Sequence, residues 1–122
     1  MKARISMMPK PKPGEVWLVR FPFTDLASTK LRPALVIATH GQDVIVVGIF
    51  SRNPAGTFRK TWTLIEDIHP AFQQTGLKKT SILKAEKIAV IHEEVFQRKL
   101  GSLPADIRSQ AREALKKALL IT

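Results

Sequence analysis

Apolar positions in this chain recur mostly at a spacing of two, and only near the C-terminus at three and four. From Glu15 onward Val16, Leu18 and Arg20 alternate with Trp17, Val19 and Phe21, β-prone residues at a period that predicts a strand. Phe21 to Leu31 breaks this pattern with Pro22, Thr24, Asp25, Ser28 and Thr29, the composition of an irregular loop. Pro33 cannot donate a ladder hydrogen bond, so it fits the first position of the next strand, Ala34 to Ala38. Thr39 to Asp43 contains Gly41 and reads as a tight turn. Val44 to Phe50, VIVVGIF, is almost continuously apolar over strand length, which predicts a central strand buried on both faces.

Ser51 to Lys60 is a second polar loop, followed by Thr61 to Ile65, where Trp62 and Leu64 alternate with Thr61 and Thr63 as in a half-buried strand. Glu66 to Gly76 carries His69-Pro70 and predicts a connection without a long helix. Leu77 to Leu83 and Lys87 to Ile91 predict two further short strands, and residues 92–100, HEEVFQRKL, one or two helical turns. Pro104 then suits the first turn of a helix. Within it Ile107, Ala111, Ala114, Leu115, Ala118 and Leu119 form one apolar face. Arg108, Arg112, Lys116 and Lys117 lie largely off that face and read as solvated charge. Several strands with short links and one terminal helix predict a mainly β fold, an antiparallel barrel-like sheet with a helix packed on it.

Residues 1–13, MKARISMMPKPKP, hold three prolines and four cations without any period. They read as a flexible basic arm, disordered or draped on the surface, ahead of a single domain over 14–122. A chain of 122 residues is one domain with room for a real core. It has no cysteine, which excludes disulfides and thiolate metal sites. No apolar run approaches a membrane span, and the N-terminal stretch lacks the apolar core of a secretory signal. The expected compartment is the cytoplasm, with no membrane partner.

Charge narrows the partner class. The formal net charge is +10, and the excess is uneven. Residues 1–60 carry ten Lys and Arg against three acids, whereas 61–122 carry ten against seven. Such an excess attracts polyanions and speeds their encounter, making nucleic acid the leading partner. An acidic protein partner is compatible with the same charge.

No metal or cofactor is expected, because His40, His69 and His92 are widely spaced and lack a ligand pattern. Cofactor-free RNA cleavage remains open to such a chain. In that chemistry the 2′-hydroxyl attacks the adjacent phosphate, and the protein supplies a fixed cation for the added negative charge and groups that move protons. Arg32 is the candidate cation, since its fork contacts phosphate oxygens in pairs and stays protonated. Taken alone, an arginine in that place is more often a surface ion-pairing residue.

Several segments, in the same order, resemble the PemK/MazF-like toxins, ribosome-independent endoribonucleases of bacterial toxin–antitoxin systems. They are Gly14-Glu15-Val16, Phe21-Pro22-Phe23-Thr24-Asp25-Leu26, Lys30-Leu31-Arg32-Pro33-Ala34-Leu35-Val36-Ile37, Gly76-Leu77-Lys78-Lys79-Thr80-Ser81, and Lys87-Ile88-Ala89-Val90-Ile91 through Leu100-Gly101-Ser102-Leu103. The resemblance implies a small SH3-like barrel of the MazF/PemK/CcdB type and a homodimer. It further implies a single-stranded RNA substrate and an antitoxin with an acidic, disordered tail.

Arg32 falls on the arginine of the family's Arg-Pro pair. The family's catalytic threonine position falls on Phe50, a departure, and Ser51 matches the serine that often follows. Arg32 and Ser51 are thus the candidate catalytic residues, with strand or turn capping the alternative for Ser51. Lys30, Arg52, Arg59 and Lys60 are candidate RNA contacts or solvated charge. Phe23 and Thr24 lie in the loop the family uses beside its RNA groove. Trp17 and Trp62 are expected in the core, and Ser81 in a structural hydrogen bond. Because of Phe50, a catalytically impaired module that binds nucleic acid or antitoxin is the alternative function. A gyrase-directed toxin follows only by fold analogy.

Overall fold

The structure is a computed structural model that describes residues 9–21, 30–51 and 56–121. Six strands form one antiparallel sheet: β1 (Glu15–Phe21), β2 (Lys30–His40), β3 (Asp43–Ser51), β4 (Trp62–Ile65), β5 (Ser81–His92) and β6 (Phe96–Ser102). Their spatial order is β4-β5-β3-β2-β1-β6, so among the described residues β4 and β6 are the sheet's two ends. A helix, α1 (Ala105–Ala118), follows β6 and packs against β4 and β5. The mainly β architecture with a C-terminal helix agrees with the sequence pattern.

The core has two parts, because side chains of successive strand residues point to opposite faces. Val16, Leu35, Val47, Ile49 and Leu83 pack with Ile107 and Ala111 of α1 on one side. Trp17, Val19, Ala34, Val36, Val44, Val46 and Phe96 pack on the other, where Trp17 and Phe96 meet edge to face with ring centres 5.6 Å apart. Strand β3 contributes to both clusters, so it is buried on both faces as its apolar run predicts. Gly41 takes φ +63 in the Gly41-Gln42 link between β2 and β3, a left-handed conformation that glycine adopts without strain.

Three expectations need correction. Pro33 does not open its strand, which begins at Lys30. The β2–β3 ladder ends at Ala34–Gly48, and Pro33 lies one residue beyond it, where a missing donor removes no rung on that side. Leu77 to Leu83 and Lys87 to Ile91 are not two strands. Ser81 to His92 runs unbroken, pairing with β3 over Asp43–Val47 and again over Ile49–Ser51. Residues 92–100 are not helical beyond a single 3₁₀ turn at Glu93–Val95. Phe96 to Ser102 forms β6 along β1, because burying Phe96 beside Trp17 outweighs weak local helix preference.

Strand β4 departs in detail. Thr63 is buried, whereas Leu64 is exposed, so its apolar alternation does not mark its buried face.

The 3₁₀ turn Phe72–Thr75 seats against β6. Thr75 Oγ1 donates to the Phe72 carbonyl at 2.7 Å and accepts from the Leu77 N–H at 3.0 Å. A Cβ at Gly101 would collide with the Gln74 carbonyl oxygen and the Thr75 backbone. Gly101→Ala is expected to lower stability by about 1–3 kcal/mol through that clash, seen as a lower midpoint in urea unfolding.

Candidate active site

At one margin of the sheet the strands part. Beyond Ala34–Gly48, β3 leaves β2 and continues with β5 alone, and the β3–β5 register shifts between Val47 and Ile49. Such irregularities bend a strand and re-aim its side chains. The result is a cleft of about 420 Å³, floored by Leu18, Pro33, Ile49 and Leu100 and bordered by the Gly76–Lys79 turn. Arg32, Lys78, Lys79 and Arg98 line it, without any carboxylate among its described lining residues.

Arg32 is half-buried, and its guanidinium carbon lies 4.8 Å from the centre of the Phe50 ring. No described carboxylate pairs with it; ion pairs among the described residues include Arg59–Glu86, His69–Asp106, Lys99–Glu15 and Lys116–Glu113. Ser51 is exposed on the cleft wall and registers opposite Ser81 of β5. The Ser81 hydroxyl donates to the Lys79 carbonyl at 2.8 Å, the structural hydrogen bond expected of it, and so ties down the lysine turn.

A row of rings and cations leads away from Arg32 across four adjacent strands. Lys84 Nζ stands 4.9 Å from the centre of Phe50 and 4.7 Å from that of Trp62. The Arg59 guanidinium lies 5.4 Å from the Trp62 ring, and the half-exposed Phe58 meets Trp62 edge to face at 5.7 Å. Such stacking is worth about 0.5–1 kcal/mol per contact where solvent reaches it.

Glu86 supplies the negative counterpart. Its carboxylate accepts from Thr61 Oγ1 at 2.7 Å, Trp62 Nε1 at 2.7 Å and Arg59 at 3.0 Å. Burial alone would raise its pKa, but hydrogen bonds from Thr61 and Trp62 and the Arg59 charge hold it below the usual carboxylate value. Lys84 is pushed below the usual lysine value, first by burial and then by Lys87, with Arg59 and Arg32 adding and Glu86 opposing.

The structure thus brings Arg32 and Ser51 to one cleft. Lys30 is exposed at the start of β2, two residues from Arg32 and therefore on the same face. Arg59 is held at the far end of the ring-and-cation row, paired with Glu86. Lys60 lines a separate groove between β4 and α1, away from the cleft. Phe23, Thr24 and Arg52 lie outside the described residues. Trp17 and Trp62 are buried as expected.

Sequence reasoning missed Lys78, Lys79, Arg98 and Lys84 as site residues. The resemblance did include Lys78-Lys79, whereas only cross-strand pairing puts Arg98 beside Leu18. Among the described residues no three His, Asp or Glu side chains cluster as a metal site would require, and no helix is long and apolar enough to cross a membrane.

Fold and site together define a small antiparallel β protein with a cationic cleft at one sheet margin. The chain belongs to the PemK-like, MazF-like toxins of type II toxin–antitoxin systems, whose family model matches residues 12–119. Among similar solved structures, an endoribonuclease from a mycobacterial species shares 20% identity over 94% of this chain and 96% of its own, with a TM-score of 0.68. A mycobacterial endoribonuclease in complex with its cognate antitoxin shares 19%, covering 92% and 97%, at 0.70. The Mycobacterium tuberculosis toxin MazF-mt6 shares 18%, covering 88% and 98%, at 0.69. Likeness at these identities establishes the fold. No curated protein sequence matches the chain significantly.

The lowered Glu86 pKa has a direction in pH. A carboxylate whose folded pKa lies below its unfolded value adds stability above the unfolded pKa, and loses it as pH falls through the folded one. Glu86→Gln is therefore expected to lose stability at neutral pH and to flatten the acid limb of a plot of thermal midpoint against pH.

Proposed function

We propose that this chain is the toxin of a type II toxin–antitoxin pair and an endoribonuclease that cleaves single-stranded RNA, messenger RNA included, without a metal ion. Its substrate's own 2′-oxygen attacks the neighbouring phosphorus, the bond to the 5′-oxygen breaks, and the products end in a 2′,3′-cyclic phosphate and a 5′-hydroxyl. The pentacoordinate centre carries extra negative charge, which Arg32 stabilises. Its guanidinium is held against Phe50 and pairs with no described carboxylate, so little reorganisation is needed. The Ser51 hydroxyl assists by hydrogen-bonding a phosphate oxygen, while Lys78, Lys79 and Arg98 position the flanking backbone. The observation that carries this reading is the cleft itself, lined by four cations and no described carboxylate.

The same charge suits an antitoxin whose acidic segment competes with RNA for the cleft, and the complex of the mycobacterial relative with its antitoxin motivates that partner. A homodimer and a cytoplasmic location accompany this reading. A second reading, a binding module that has lost catalysis, is favoured by one feature: Phe50 places a ring where the family carries a hydroxyl.

Incubation of the purified chain with a long RNA in EDTA separates the two. Discrete fragments ending in 2′,3′-cyclic phosphate are expected; intact RNA with salt-sensitive retardation would establish the binder instead. Arg32→Ala is expected to abolish both RNA cleavage and growth arrest on induced expression. Its thermal midpoint should change little, because one solvent-accessible cation–π contact is worth only about 0.5–1 kcal/mol. Wild-type cleavage rates in that variant would remove Arg32 from the mechanism.

A further inference from the structure

Phe50, on which the resemblance places the family's catalytic threonine, has its ring in contact with two cations. Arg32 approaches Phe50 from β2 at 4.8 Å and Lys84 from β5 at 4.9 Å. Lys84 is held a second time by Trp62, its cross-strand partner in β4, at 4.7 Å. A lysine side chain is long and mobile, and packing between two rings removes much of that freedom. Like charges are not normally gathered this way without a compensating anion. The nearest described carboxylate in the row, Glu86, is already engaged by Thr61, Trp62 and Arg59.

We infer that Lys84 is a second substrate cation of the site. Its ammonium binds the RNA phosphate next to the one engaged by Arg32, and the Phe50 ring sets the spacing between the two charges. This assignment rests on the nuclease reading for its chemistry, although not for its binding step. The two cations share one ring, at 4.8 and 4.9 Å from its centre, so a single strand laid over that ring meets both. An anionic backbone laid across them would neutralise both. It would also relieve their mutual repulsion, which Glu86 opposes only in part at Lys84. Phe50 then replaces a lost hydroxyl with a scaffold for charge, and catalysis relies on cations placed by aromatic faces.

The described charged groups around Lys84 are Arg32 on β2, Arg59 before β4, and Glu86 and Lys87 on β5. Burial and the three cations lower its pKa, with Glu86 opposing. A lysine lowered in this way binds phosphate below its pKa and loses that contact as pH rises through it. Arginine at the same position keeps its charge to higher pH.

The test compares wild type, Lys84→Met and Lys84→Arg. Binding is measured to a fully 2′-O-methylated single-stranded RNA, which cannot be cleaved, and cleavage to the unmodified RNA. Lys84→Met is expected to weaken binding roughly 10- to 100-fold, the range for a hydrogen bond to a charged group. It should also reduce the slope of log affinity against log salt by about one. Lys84→Arg is expected to retain binding and to shift the alkaline limb of the cleavage profile upward in pH. A lysine that only packs against the rings would move neither the salt slope nor that limb, and unchanged values for both would overturn the assignment. Thermal melting of Lys84→Arg, which keeps the ring contacts, guards against misreading a folding defect. Wild type that binds with a Lys84-dependent salt slope but cuts nothing would sink the nuclease reading and leave the phosphate contact standing. Wild type that neither binds nor cuts overturns both.

Discussion

From Val46 to Gly48 the backbone of β3 is flanked by β2 on one edge and β5 on the other, and its residues are buried on both faces. Such a strand has almost no freedom of register, because a shift of one residue would turn the whole apolar set inside out. The end of β3 is therefore a fixed point. Phe50 and Ser51 sit there, on opposite faces of one strand, just where β2 has stopped pairing. The cleft exists because β3 follows β5 past the register shift while β2 follows β1, and Arg32 is carried on the strand that leaves.

Electrostatics in this protein are organised by contrast between two sides of Phe50. Toward the cleft lie Arg32, Lys78, Lys79 and Arg98, with no described carboxylate to neutralise them. Away from it lies a row in which rings and cations alternate, closed at its far end by Glu86. That carboxylate accepts from a tryptophan, a threonine and an arginine, so its charge is spent locally. Positive potential is thus left at the cleft, where low-dielectric walls focus it. The bulk charge of +10 assists encounter with an anion, whereas cation placement by rings and turns governs how that anion is held.

Much of the β pattern was legible because local preference and tertiary demand agreed. Val44 to Phe50 is apolar since it is covered twice, and Val16 to Phe21 alternates because its two faces enter different cores. Where they disagreed, packing prevailed. The 92–100 segment has polar residues at most positions, but Phe96 anchors it against Trp17 and makes it an edge strand. Leu64 is apolar yet exposed, since β4 is the sheet's end and one of its faces opens on the groove beside α1. Arg32 was legible through its Arg-Pro neighbourhood; Arg98 and Lys84 were not, because nothing nearby in the chain distinguishes them from solvated charge.

Read by itself, the chain determined a mainly β domain with a C-terminal helix, a strongly basic character and the family to which its motifs point, since periodicity, composition and local motifs are properties of neighbouring residues. Tertiary structure alone decided that Lys78 and Lys79 meet Arg98 and Arg32 around one cleft, and that Phe50 joins Arg32 to Lys84. Those meetings depend on which strands lie side by side and in which register, and that is settled by burying two cores at once.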